Sequence, residues 1–439
     1  MLKDFINESK NRVEFVYGKI NDLEYLFLKN AILQELWIRD YLPKILNNDF
    51  ANISPGILQQ ASNFTKVDYE RLISNGVVLF IKNNESYLLH LSFIPKRNPV
   101  DSISDPANLF GSRDGFNELI ADNRILLKRR MKTNNISFDE IIMGTNTQTE
   151  INIVYQNKEN IKHIIEKITL LLKINKHKDI LSVLDLNRIL SSNNIIPTFQ
   201  FTGNPETCAN AILNNRIIIL IDNSPIAIIL PTTLLEMTEN TNEVNSFALS
   251  TIVNRLLILL FLFITIFSLG LFIVLTSHHP EALSTLFIAN FQLSERGTIF
   301  PLIFEIIIIL VSFEFYRQMV SRSPLSFVQN IIIIFGGIFI GQNVVEASII
   351  GTTSIIITSL SYVSSFAVTN NSYLITTFSI FRIFILLMSF MLGLIGFIIS
   401  SIITINYLAN INIFNQYYLE PIIPFNFEKL KSWLVPRKD

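Results

Sequence analysis

The chain has 439 residues, with 35 basic and 36 acidic side chains, a formal net charge of −1 and a single cysteine. A balance this close to neutral lacks the basic excess that phosphate backbones demand, so no nucleic-acid partner is expected. One cysteine excludes an internal disulfide framework and fits a reducing compartment for the polar part of the chain.

The average conceals two unlike halves. Residues 1–254 hold 54 of the 71 charged side chains, and 255–439 hold 17. The expected fold class is therefore an α+β soluble N-terminal region of two small lobes, 1–98 and 99–250, followed by an all-α multipass membrane domain of four or five helices at 251–420 and a basic C-terminal tail at 421–439. The opening MLKDFINESKNR is polar and has no hydrophobic core, so no secretory signal peptide is expected.

In LEYLFLKNAILQELWIRDYL (23–42) apolar residues return every three or four positions, which predicts a helix with one buried face. GVVLFIKNNESYLLHLSFI (76–94) reads as two strands joined at Asn83-Asn84. Pro95 to Pro106, rich in Asp, Ser and Pro, reads as a linker. Next comes GSRDGFNELIADNRILLKRRM (111–131), whose glycines ahead of a helix resemble a phosphate cradle. No Lys-Ser/Thr pair follows Gly115, as a P-loop requires. The stretch is read as a turn and helix start, with Asp114 near the positive helix end. Lys128, Arg129 and Arg130 are read as a solvated helix terminus, with docking onto acidic lipid or a partner as the alternative.

TQTEINIVY (147–155) alternates like a half-buried strand, ENIKHIIEKITLLLKI (159–174) reads as a helix, and RIIILIDNSPIAIILP (216–231) reads as a hairpin hinged at Asp222-Asn223-Ser224-Pro225. There is no Ser/His/Asp nucleophile arrangement, no HExxH and no paired cysteine, so neither an enzyme nor a cofactor is expected.

Apolar runs then follow at Arg255–Thr276, Ile299–Tyr316, Phe327–Val345, about Ile349–Val368 and Ile380–Leu408. Whether Gly341–Gly351 is a full turn or a re-entrant break leaves four and five crossings both open. Loop charges place 277–298 outside, and 317–326, the soluble half and the tail inside. Glu305 sits in the second run without a partner in its own helix, so another helix or a water-filled cavity must accommodate it. Glu314 and Arg317, three apart, are placed to pair. In IIIIFGGIFIGQNVVEASIIG (331–351), Gly337 and Gly341 form a small-xxx-small packing face, with Gln342 and Glu346 on an adjacent face. This describes either a helix lining a channel or substrate path, or a packed helix with Glu346 at its aqueous end. Gly336, Gly393 and Gly396 are further helix-packing positions. His278-His279-Pro280-Glu281 reads as a polar loop rather than a metal site.

These residues carry a resemblance. GSRDGFNELIADNRILLKRR is similar to a Gly-Pro-Arg-x-Gly-Phe-x-Glu segment, DNSPIAIILP to DGSPxALxxP, FEFYRQMVSRSP to FEILREAGIRLP and GGIFIGQNVVEASII to GALVIGQAAVEAGIV. All four patterns belong to the A subunits of bacterial spore germinant receptors, the GerA family, which the chain resembles from about Phe93 to Pro424. Departures include Ser112 for a proline, Asn223 for a glycine, Gln318 for a glutamate, Val320 for a glycine, and Asn415-Gln416-Tyr417-Tyr418 where the family has glycine before Pro-Tyr. The resemblance implies a multipass protein of the spore inner membrane with a cytoplasmic N-terminal region. It implies a transporter-like B subunit and a lipoprotein C subunit as partners, and a homo-oligomeric ring, formed through the membrane domain, that passes ions when nutrient binds the B subunit. Glu305, Gly337, Gly341, Gln342 and Glu346 are then the expected pore or gating residues. A secondary transporter and a structural assembly scaffold are the competing readings.

Overall fold

The computed structural model describes residues 2–10, 12–29, 31–50, 53, 57–61, 64–83, 85–91, 98–99, 114–133, 135–191, 196–239, 248–322, 350–369, 371–414 and 416–435. The expected linker at Pro95–Pro106 and the apolar run at Phe327–Val345 fall almost wholly outside the described residues.

Two antiparallel five-stranded sheets organise the polar half. The first contains β1 (Phe15–Ile20), β2 (Leu23–Leu28), β3 (Leu58–Gln60), β4 (Val77–Lys82) and β5 (Glu85–His90), in spatial order β1-β2-β4-β5-β3. The β4–β5 hairpin is the one read from sequence, and Asn83 takes the positive φ of 53° that the turn needs. The helix expected over 23–42 is instead strand β2 followed by a short helical stretch from Gln34 to Leu46. The first six residues, LEYLFL, satisfy a two-residue period as well as a helical one, and pairing with β1 and β4 decides between them.

The second sheet contains β6 (Ile136–Met143), β7 (Thr149–Gln156), β8 (Gln200–Thr202), β9 (Ile217–Ile221) and β10 (Ala227–Leu230), in order β8-β10-β9-β7-β6. Helices cover both faces. Ile151, Ile153, Ile217, Ile219 and Ile228 pack toward the helix Glu159–Ile174, while Val154, Ile218, Leu220 and Ile229 pack toward the helices Ile120–Arg130 and Pro205–Leu213. Burial on both faces explains the unbroken aliphatic run of β9. It also corrects the half-buried reading of β7, in which Thr149 and Asn152 are buried along with the isoleucines.

The helix Ile120–Arg130, here α1, is shared between the sheets: Ile125 enters the core over the first sheet, and Leu126 and Leu127 enter the core over the second. That position corrects the solvated-terminus reading of its basic end. Lys128 is 0% exposed, donates to the Thr133 carbonyl at 3.1 Å and lies 5.5 Å from the Phe15 ring centre. Asp114 is also not at the N-terminus of α1; it pairs at 3.5 Å with Arg130 at the other end. The N-terminal position belongs to Asp222, which accepts from the Ile120 N–H at 3.3 Å, while the Asn223 N–H donates to the Glu118 carbonyl at 2.8 Å. The 114–131 and 222–231 segments thus meet.

The apolar half is helical: α2 (Ala248–Ile273, prolonged by a π-helical turn to His278), α3 (Leu302–Arg322), α4 (Thr352–Val368) and α5 (Ser372–Asn410). Among the described residues, Leu249–His278 and Ser372–Asn410 are long and apolar enough to cross a membrane. α5 starts eight residues before the apolar run read from sequence, and it is not straight. Gly393 adopts φ 60° and ψ −137°, outside helical space. The rings of Phe381 and Tyr407 stand 6.1 Å apart, whereas a continuous helix would separate them by roughly 39 Å at its usual rise. The helix folds back at Gly393 into two antiparallel arms. A Cβ on Gly396 would collide with the Met388 carbonyl oxygen, so that glycine sets how closely the arms approach.

Candidate functional site: polar groups inside the helical bundle

The bundle has two distinguishable ends. At the proximal end Arg255 pairs with Glu239 at 3.4 Å and stacks 5.2 Å from the Trp433 ring, in the helix Phe427–Leu434 of the expected basic tail. Both ends of α5 lie here too: Leu374, Leu408 and Ile411 share one core with the second sheet. The distal end holds the His278 ring against Gly393, with His278 Nε2 3.1 Å from the Phe390 carbonyl.

Large apolar side chains point outward along these helices. Leu249, Leu256, Phe263, Phe304, Val311, Ile356, Val363, Met391, Ile395 and Ile402 are exposed. Hydroxyls and charges point inward: Thr265, Glu305, Thr358, Ser361, Arg382, Ser389, Ser400 and Thr404 are buried. This is the reverse of a water-soluble bundle.

At the centre, Arg382 is 1% exposed. Its Nε donates to the Thr265 carbonyl of α2 at 2.8 Å, Nη2 donates to the Ser361 carbonyl of α4 at 3.1 Å, and its guanidinium lies 5.6 Å from the Tyr362 ring. Nη1 has no hydrogen-bond partner among the described residues, and neither do the hydroxyls of Thr265, Thr358 and Ser389. An unmet buried polar group costs about 1–3 kcal/mol, so these groups are the ones in the bundle with capacity left to bind water or an ion.

Toward the proximal end, Arg317 Nε donates to Glu314 Oε2 at 3.0 Å, and Arg317 Nη2 reaches Thr376 Oγ1 of α5 at 3.1 Å. Toward the distal end, Glu305 is 0% exposed and accepts from the Gly351 N–H at 3.1 Å through Oε2. Its Oε1 has no partner among the described residues. Glu295 lies on the other side of the same glycine: its Oε1 accepts from Ser354 Oγ at 3.1 Å, and a Cβ on Gly351 would collide with it. Glu295 lies in the connection before α3, where burial and the nearby charge of Glu305 push its carboxyl upward.

Of the residues singled out from sequence, Glu305, Glu314, Arg317, Gly393 and Gly396 are therefore placed on this bundle. Gly336, Gly337, Gly341, Gln342 and Glu346 lie outside the described residues. Sequence reasoning missed Arg382, Glu295 and the hydroxyl cluster. Arg382 had a usable signal: it is the sole charge between Glu346 and Glu420. The serines and threonines had none, since such residues sit in apolar helices for many reasons.

Comparison with known proteins gives a consistent family. The model of the Bacillus/Clostridium GerA spore germination protein matches residues 19–438. Spore germination protein XA of Bacillus anthracis is 30% identical over 356 residues, 81% of this chain and 72% of that protein. Spore germination protein B1 of Bacillus subtilis is 26% identical over 376 residues, 84% of this chain and 77% of that protein. The crystal structure of the N-terminal domain of the A subunit of the Bacillus megaterium spore germinant receptor GerK3 covers 52% of this chain and 92% of that domain, at 16% identity and a TM-score of 0.35.

Proposed function

The chain belongs to the GerA family of spore germination proteins, and from that premise we propose that it is the A subunit of a germinant receptor and forms part of a nutrient-gated ion path across the spore inner membrane. The observation that carries the reading is the inverted polarity of the helical half, with apolar side chains outward and Arg382, Glu305 and the buried hydroxyls inward. In a bilayer the outward face meets lipid, and the interior holds groups able to interact with water or an ion.

On this reading the soluble sheets, second lobe included, lie on the cytoplasmic side with the proximal ends of the helices. α2, α3, α4 and both arms of α5 are among the segments that cross the bilayer, so the protein is multipass. The expected partners are a transporter-like subunit that binds nutrient, a lipoprotein subunit and further copies of this chain packed through the membrane helices. Glu305 and the residues Gly337, Gly341, Gln342 and Glu346 are proposed to line or gate the path, with Gly336, Gly393 and Gly396 as packing positions and Glu314–Arg317 as a structural ion pair.

The test is reconstitution of the chain with its partner subunits in potassium-loaded liposomes. Nutrient-dependent potassium release, reduced by Glu346→Lys, is the expected result. An assembled complex that releases no ions with any nutrient that germinates the spores would overturn the ion-path reading and leave the scaffold. Saturable nutrient uptake by this chain alone would replace it with a transporter.

A further inference from the structure

The distal end of the bundle holds an arrangement to which the ion-path reading gives no ligand: it assigns Glu305 to the path and leaves Glu295 without a role. Two carboxylates bracket one glycine. Glu305 takes the N–H of Gly351 on one side, and Glu295 lies against its Cα on the other. Glu305 is fully buried with Oε1 unpartnered among the described residues, whereas Glu295 is half-buried and opens toward the surface. One carboxylate is thus partly reachable from the exterior and the second is enclosed.

Neither carboxylate forms an ion pair among the described residues. Arg296, next in sequence to Glu295, is exposed and turned to solvent, and on the preceding turn His279 pairs with Glu281. The two neutral donors, Gly351 N–H and Ser354 Oγ–H, occupy one oxygen of each carboxylate and leave the charge uncompensated. Other oxygens surround the pair: Ser294 Oγ and Thr353 Oγ1 lie 2.9 Å apart, and the Ser294 carbonyl is 3.3 Å from where a Gly351 Cβ would stand. An all-oxygen environment suits hard cations rather than zinc or copper. Two carboxylates withdrawn from water need two positive charges for neutrality, so a divalent ion satisfies the site and a monovalent ion leaves it charged.

We propose that Glu295 and Glu305, closed over Gly351, are the protein ligands of one hard divalent cation of the calcium class at the distal end of the bundle. Bound there, the ion would hold the connection before α3 against the start of α4. Glycine at 351 leaves room for the Glu295 carboxylate, which a Cβ there would displace.

The experiment uses the full chain, purified in detergent and stripped with chelator, titrated with calcium by calorimetry and with manganese by electron paramagnetic resonance. One ion per chain is expected, with calcium displacing manganese and potassium failing to do so. Glu305→Gln and Glu295→Gln, which keep the side-chain volume, should each weaken binding by about tenfold or more, since even outer-shell changes cost that much. Glu281→Gln should leave it unchanged. Absence of stoichiometric binding to the folded wild-type chain, or binding that survives both substitutions, would overturn the proposal. So would a protonated-carboxyl infrared band at neutral pH that vanishes in Glu305→Gln without any metal uptake, because the pair would then hold a proton instead. The readout is equilibrium binding to this chain alone, so it stands or falls separately from ion flux.

Discussion

Arg382 donates through Nε to the main-chain carbonyl of Thr265 at 2.8 Å, tying the first arm of α5 to α2 across the middle of the bundle, and its Nη2 ties the same arm to α4. A charged donor to a carbonyl contributes about 1.5–3 kcal/mol, and both bonds are lost together on truncation. Arg382→Ala should lower the stability of the detergent-solubilised chain by roughly 2–4 kcal/mol, with Arg382→Lys recovering part of it. Thermal unfolding followed by circular dichroism reads the difference; an unchanged midpoint for the alanine variant would mean that the guanidinium holds nothing together.

The fold-back of α5 rests on two glycines with different jobs. Gly393 supplies a backbone conformation that side chains strongly disfavour, and Gly396 supplies the space for the Met388 carbonyl. Gly393→Ala should cost about 1–3 kcal/mol through backbone strain. Gly396→Leu should instead push the arms apart. The measurement is the distance between spin labels placed at 381 and 407, which should lengthen in Gly396→Leu and stay short in a folded Gly393→Ala chain.

Lys128 gives the soluble region a pH signature. Burial lowers its ammonium pKa to about 8, partly offset by Glu14. The folded state therefore binds fewer protons than the unfolded one between about pH 8 and 10.5, and stability from this group rises with pH through that window. Below it the chain carries the full penalty of a buried charge, on the order of 3 kcal/mol. Lys128→Met should melt at a higher temperature than wild type near neutrality and should lack the alkaline rise. Parallel pH–melting curves for the two proteins would contradict the assignment.

Asn223 stands where the family pattern has glycine, and its φ of 62° explains why both residues serve. Asn223→Gly should leave the melting temperature nearly unaltered. Asn223→Val should cost about 1–2 kcal/mol, because a branched side chain is forced into left-handed backbone. Equal stability of the two variants would show that the turn relaxes.

The sequence foretells local structure well where one period dominates. The helix Glu159–Ile174 has the bounds read from its apolar spacing, and the β9–β10 hairpin forms around Asp222–Pro225. It foretells less where tertiary contacts decide. LEYLFL fits two periods, and only its neighbours in the sheet make it a strand. The basic run at 128–130 reads as solvated because nothing local announces that β1 of the first sheet packs over Lys128. The turn at Gly393 lies within an apolar stretch with no polar punctuation, so a hairpin inside lipid leaves the same trace as one long helix. Glu305 reads from sequence as a carboxylate needing an outside partner. That the partner is the backbone of Gly351, with Glu295 behind it, depends on residues about 46 and 10 positions away and on packing that composition does not encode.

The most direct test of the account is the sidedness of α5 in a sealed membrane. Single cysteines at Tyr373, Leu394 and Asn412 would be labelled from each side with an impermeant thiol reagent, in a chain whose native Cys208 is buried. The account predicts that positions 373 and 412 react from the side bearing the two sheets and that position 394 reacts only from the opposite side. Labelling of 394 from the same side as 373, or of 373 and 412 from opposite sides, would contradict a helix that crosses the bilayer, turns at Gly393 and returns.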